Sequence, residues 1–145
     1  MAMQHTPLLM SKIIDRGAKV APNEEIVTAT ENGVRRQTYK ETRDRAHQLA
    51  HALADAGLAV GDRVGTFMWN GSRHLEAYQA CAGMGAVLHT LNIRLSEKDL
   101  EYIINHAEDQ IIIVDADILP LLEKLEGKMP TVRQVVIATE EGFEG

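Results

Sequence analysis

Apolar and polar positions alternate along this chain with two different periods. Met10, Ile13, Ile14 and Gly17 stand at i, i+3, i+4 and i+7, which predicts a short helix that Pro22 stops. Two strand-like runs follow, Glu25 to Thr30 and Val34 to Tyr39, around Glu31-Asn32-Gly33. Asn-Gly supplies the positive φ angles of a tight turn, so Asn32-Gly33 predicts a type I′ β-hairpin. Thr38-Tyr39-Lys40-Glu41 reads as a capping box, a hydroxyl with a carboxylate three residues on. It opens a long helix with inner stripe Ala46, Leu49, Ala50 and Leu53, closed by Gly57.

From Val64 the two periods take turns. Strands are expected at Val64 to Trp69, Ala86 to Thr90, Ile111 to Val114 and Val135 to Ala138. Helices are expected from Ser72 to about Gly83, after Ser96 with stripe Leu100, Ile103, Ile104 and Ala107, and after Asp117 with stripe Ile118, Leu121, Leu122 and Leu125. Pro120 falls in the first turn of the last helix, where a missing N–H does little harm. Ile111-Ile112-Ile113-Val114 is four β-branched residues in a row, the mark of a strand buried on both faces. Short strand–helix–strand connections imply parallel strands joined by right-handed crossovers. The expected fold is α/β: a small doubly wound parallel sheet preceded by a helix and a β-hairpin. Its parts are an N-terminal helix segment (1–24), the hairpin (25–39), the α/β layer (40–138) and a frayed acidic tail (139–145).

Composition narrows the function classes. The chain has 145 residues, 45% hydrophobic and 25% charged, which is ordinary globular composition. Its net charge of −6 argues against nucleic acid and against an anionic membrane surface as partners. No run approaches the roughly 20 apolar residues of a membrane span, and Met1 to Ile14 lacks the pattern of a secretory signal. A single cysteine, Cys81, offers no internal disulfide. The expected compartment is the cytoplasm.

Candidate chemistry is sparse. Gly83-Met84-Gly85 fails as a dinucleotide fingerprint, because the third glycine would fall at Leu88 and the segment runs helix-to-strand; it reads as a helix C-cap. His47 and His51 share a helix face with Asp44 and Asp55 but have no H-E-x-x-H context, so a solvated face is expected. Cys81 sits between alanines and reads as a buried core thiol. The polar residues at strand C-termini carry more interest, since ligands of parallel sheets bind beyond those ends. There the chain has Asn70, Asn92 after His89-Thr90, and Asp115 with Asp117; the plainer reading is that they turn the chain and cap the next helices. Asp115 lacks the acidic pair and following lysine of a receiver domain. No phosphate-cradling G-x-x-x-x-G-K-[ST] and no G-x-S-x-G elbow is present.

Several blocks, taken together and in order, are specific. They are Tyr39-Lys40-Glu41, Gly61-Asp62-Arg63-Val64, Trp69-Asn70, Arg73-His74-Leu75-Glu76-Ala77-Tyr78, the run Gly83 to Leu95, and Tyr102 to Asp109. From about Leu9 to about Ile137 the chain resembles the N-terminal region of AMP-forming fatty-acyl-CoA synthetases, within the adenylate-forming superfamily of acyl-CoA ligases. Ile93 departs from the pattern, since many relatives carry proline there. The resemblance implies a parent enzyme that joins a fatty acid to coenzyme A. The carboxylate attacks the α-phosphate of Mg·ATP and releases pyrophosphate; the thiol of coenzyme A then displaces AMP. It also implies that the phosphate loop, adenine motif, Mg-coordinating glutamate, hinge and catalytic lysine lie outside this region. No catalytic, cofactor-binding or metal residue is therefore assigned here. ATP, Mg and coenzyme A belong to the parent, whose missing remainder would be this chain's partner, with a homodimer also implied. The alternative reading is a free-standing α/β binding or interaction module without catalysis.

Overall fold

Thr38 begins the main layer as the sequence predicts. Its hydroxyl accepts the Glu41 N–H at 3.1 Å while the Glu41 carboxylate accepts the Thr38 N–H at 2.8 Å, a closed capping box at the head of a 17-residue helix. The computed structural model describes residue 7 and residues 9–30, 33–139 and 143–144. In order the elements are α1 (Ser11–Val20), β1 (Glu25–Thr30), β2 (Gly33–Thr38), α2 (Tyr39–Asp55), β3 (Arg63–Phe67), α3 (Ser72–Met84), β4 (Val87–Thr90), α4 (Glu97–Ala107), β5 (Ile111–Asp115), α5 (Leu119–Glu123), β6 (Gln134–Ala138) and β7 (Phe143–Glu144).

β1 and β2 form the antiparallel hairpin, paired from Glu25↔Thr38 to Thr30↔Gly33. That last pair corrects the turn. Gly33 begins the second strand and pairs with Thr30, with φ +126°, so it stands in the ladder. Asn32, half of the expected turn, lies outside the described residues.

The larger sheet has the order β4-β3-β5-β6-β7, with its first four strands parallel. The chain moves from β3 outward to β4, then crosses back over β3 to β5 and onward to β6. Crossovers of one hand running in opposite directions must place their helices on opposite faces. They do: Ile111 and Ile113 pack with Leu49 and Leu53 of α2 and Ala77 and Cys81 of α3. Ile112 and Val114 pack with Leu100 and Ile104 of α4 and Leu122 of α5. All four β5 residues are 0% exposed, so the run of β-branched residues is the central strand with a core on each side.

Three further readings change. Asp117 does not cap α5: the N-cap is Ile118, without a side-chain cap, and the helix is only five residues long. Leu121 is exposed and Leu125 is buried beyond the helix end. The tail is not wholly frayed, since Phe143 and Glu144 pair antiparallel with Ala138 and Ile137. Gly85 is the αL cap of α3, at φ +80°, with the Ala86 N–H reaching back to the Cys81 carbonyl. The glycine pair is therefore a helix stop.

Candidate functional site

The crossovers change direction between the neighbouring parallel strands β3 and β5, so the connections leave their C-terminal ends to opposite sides, and ligands of open α/β sheets bind in the crevice at such a point. In this chain the crevice is a cleft of about 700 Å³. Its walls come from the ends of β3 (Trp69, Asn70), β5 (Asp115, Asp117) and β6 (Thr139), from Arg73 on the first turn of α3, and from the β1 residues Thr28 and Thr30. The hairpin closes one side because the Thr28 hydroxyl accepts the Ser72 N–H at 3.1 Å, at the uncapped start of α3. A second cleft of about 440 Å³ adjoins it, bounded by His74, Tyr78, Asn92 and Arg94. Trp69 and Asn70 line both.

The two aspartates expected to shape a turn and a helix start are instead held by Trp69. Asp115 Oδ2 accepts the Trp69 backbone N–H at 2.7 Å, and Asp117 Oδ2 accepts the indole Nε1–H at 2.8 Å. Burial pushes the Asp115 pKa up; the Trp69 hydrogen bond and the Arg73 charge work against the rise, and the neighbouring Asp117 adds to it. Asn92 behaves as the plainer reading has it, its Oδ1 accepting the Arg94 N–H at 3.0 Å in an Asx turn. His74 stands behind the second cleft with Nε2 3.0 Å from Thr66 Oγ1 and its ring 5.1 Å from that of Tyr78. Burial lowers its pKa and favours the neutral ring.

Two buried polar clusters were not legible in the sequence. Asp109 is fully buried, with Oδ2 2.9 Å from His89 Nδ1. It fits because residue 65 is glycine, where a Cβ would lie 3.0 Å from that carboxylate. Burial raises its pKa, against the opposing pull of His89 and Arg63. Glu76, also fully buried, accepts from Gln37 Nε2 at 2.8 Å and from Arg45 Nε at 2.7 Å. This joins β2, α2 and α3. Charged letters on predicted helices read as surface, and only tertiary contacts bring their partners together.

The remaining candidates behave as structural residues. His47 and His51 are exposed, and His47 Nε2 lies 3.7 Å from Asp15. Cys81 is buried, its thiol pushed up to about 12 by desolvation, which keeps it unreactive at neutral pH. Among the described residues no three His, Cys, Asp or Glu side chains gather around one point, and Asp115 and Asp117 are already engaged by Trp69. The cleft can offer an indole face, carboxylates and a guanidinium at the C-terminal edge of a rigid sheet.

Comparison with known proteins gives consistent matches. The AMP-binding enzyme family matches residues 14–144. A long-chain-fatty-acid–CoA ligase of Thermus thermophilus is 44% identical over 99% of this chain and 27% of its own length. A 3-methylmercaptopropionyl-CoA ligase of Ruegeria pomeroyi is 43% identical over 93% of this chain and 25% of its own length. The chain thus spans about a quarter of the length of these curated relatives. Among solved structures, a fatty acyl CoA synthetase of Mycobacterium tuberculosis superposes with a TM-score of 0.81 at 24% identity, covering 88% of this chain and 26% of that one, a likeness of fold.

Proposed function

The chain belongs to the AMP-binding enzyme family, and from that premise we propose that it is the amino-terminal part of a longer acid–CoA ligase with a fatty acid as its substrate. The observation that carries this is 44% identity along 99% of the chain to a relative of which it covers 27%. In the reaction of such a ligase, a carboxylate oxygen attacks the α-phosphorus of ATP and pyrophosphate leaves. The coenzyme A sulfur then attacks the acyl carbon and AMP leaves. Both steps need charge stabilisation and a dry site around the mixed anhydride.

Within that enzyme this segment acts as scaffold. It contributes the rigid sheet edge around Trp69, Asp115 and Arg73, against which further segments close, and it carries no catalytic residue of its own. Cys81, a free thiol in the core, is compatible with a reducing compartment, and we propose the cytoplasm. The test has two arms. Reading the coding frame past Gly145 should show a continuing ligase sequence; a stop codon there would favour the free-standing binding module. Pyrophosphate release from ATP, Mg²⁺ and a panel of fatty acids should occur with the longer product and not with the 145-residue chain. Turnover that tracks the purified short chain would overturn the scaffold role.

A further inference from the structure

His74 is a titratable side chain placed where α3 otherwise carries small apolar ones. It opens the inner stripe that Ala77 and Cys81 continue at i+3 and i+7, and it is 7% exposed. Thr66, two residues after Val64 on the same face of β3, meets it there and is 0% exposed. Nε2 of the ring lies 3.0 Å from Thr66 Oγ1, and the ring also hydrogen-bonds the Trp69 backbone. The Trp69 N–H is already given to Asp115, so this second bond runs from Nδ1–H to the Trp69 carbonyl. A neutral imidazole has one N–H. Spent on Trp69, it leaves Nε2 as an acceptor, and the Thr66 hydroxyl supplies the proton.

We propose that His74 is a proton-operated clamp on the wall shared by the two clefts: neutral, it ties the end of β3 to the first turn of α3, and protonated, it releases them. A protonated ring donates from both nitrogens. The Thr66 hydroxyl then has to turn its own proton away inside a fully buried site, where an unpaired donor is costly. Burial is the main cause of the lowered His74 pKa, with the Trp69 bond opposing it. The titratable groups around the ring are Tyr78 on its own helix, 5.1 Å away between ring centres, and Arg94 across the second cleft. Arg73 and Asp115 line the first cleft, and Glu76 is engaged by Gln37 and Arg45. What the clamp governs is Trp69, which lines both clefts, and the start of α3, where the Ser72 N–H meets Thr28 of the hairpin. The inference stands on α3 and β3 and does not depend on the ligase reading.

The experiment is a pH titration of the 145-residue chain by NMR, in wild type, His74→Gln and Asp115→Asn. The ring nitrogens of His74 should report the Nδ1–H tautomer at neutral pH and a midpoint below the ~6.5 of an ordinary histidine. Hydrogen-exchange protection of the Ser72 and Leu75 amides, which bond Thr28 and Gly71 at the head of α3, should fall through the same midpoint. The fall should be about tenfold for each pH unit by which that midpoint lies below the ordinary value. His74→Gln keeps a donor and an acceptor but does not titrate, so it should lose the acid response. Asp115→Asn should keep it, which separates the clamp from the aspartate's own hydrogen bond to Trp69. Tautomer and midpoint are read on wild type, so they stay decisive if a variant fails to fold. The Nε2–H tautomer, a midpoint at or above the ordinary value, or amide protection unmoved across the His74 titration overturns the proposal. So does an acid response that survives in His74→Gln and vanishes in Asp115→Asn, since the aspartate is then the switch.

Discussion

Trp69 bridges the two strand ends that flank the switch point by donating twice, from its backbone N–H to Asp115 at 2.7 Å and from its indole to Asp117 at 2.8 Å. β3 and β5 are already neighbours, paired up to Phe67↔Val114. Beyond that pair the ladder stops, and the side chains of Asp115 and Asp117 take over the pairing. The crevice is therefore bounded by a ring that ties the two strand ends together and is itself half exposed.

Trp69 is the single tryptophan of the chain, so its fluorescence reports on this latch alone. Burial raises the Asp115 pKa, and protonation weakens the acceptor for the Trp69 N–H. On acidification the emission should change with a midpoint above the ~3.9 of an ordinary aspartate. Asp115→Asn should remove that transition. A midpoint at or below the ordinary value would mean that the hydrogen bond and Arg73 outweigh burial.

Asp109 gives a stability prediction with a defined sign. Its pKa is higher in the folded than in the unfolded chain, so folding takes up its proton more tightly. The resulting contribution is complete below the unfolded value of about 3.9 and is lost as pH rises through the folded value. Asparagine keeps the shape and cannot ionise. Urea midpoints should therefore show wild type at its best relative to Asp109→Asn near pH 4, with the margin shrinking toward neutrality. A margin that grows with pH would show His89 and Arg63 prevailing over desolvation.

Removing the Glu76 carboxylate takes the ion-pair partner from Arg45 and one of the two acceptors from Gln37 Nε2, which keeps Thr42 Oγ1. Taking one partner from a buried ion pair costs about 3–5 kcal/mol; Arg45 is partly exposed, so Glu76→Ala should fall near the lower end. Because the network holds β2, amide exchange should rise first in the hairpin. The double variant Arg45→Ala/Glu76→Ala should cost less than the sum of the singles. Strict additivity would show that the contact carries no coupling.

The elements that were legible in the sequence are those specified locally. The Thr38–Glu41 capping box and the Gly85 helix stop depend on residues within one turn, and the Ile111–Val114 run declares its own burial. Asp117 misled because an aspartate before a helix has the same local look whether it caps that helix or accepts an indole N–H 48 residues away. β7 escaped notice because two residues after an acidic stretch have no period. The site was visible only as a location, the strand ends; that Trp69 organises it follows from the β3–β5 adjacency, which no window of sequence contains.

That adjacency rests on Ile112 and Ile113, which point to opposite faces and belong to separate cores. Each is 0% exposed. Ile113 meets the α2–α3 side and Ile112 the α4–α5 side, so truncating either removes burial and leaves a cavity in a different layer. Each alanine variant should cost about 2–5 kcal/mol in denaturant unfolding. The two residues lie in separate cores but are consecutive on one strand, so any departure of the double variant from the sum of the singles measures coupling through that strand's backbone. A one-sided sheet would give one large loss and one near zero, and would leave the crevice at the β3–β5 switch point without its second supporting layer. A substantial loss at both positions is the outcome this packing requires.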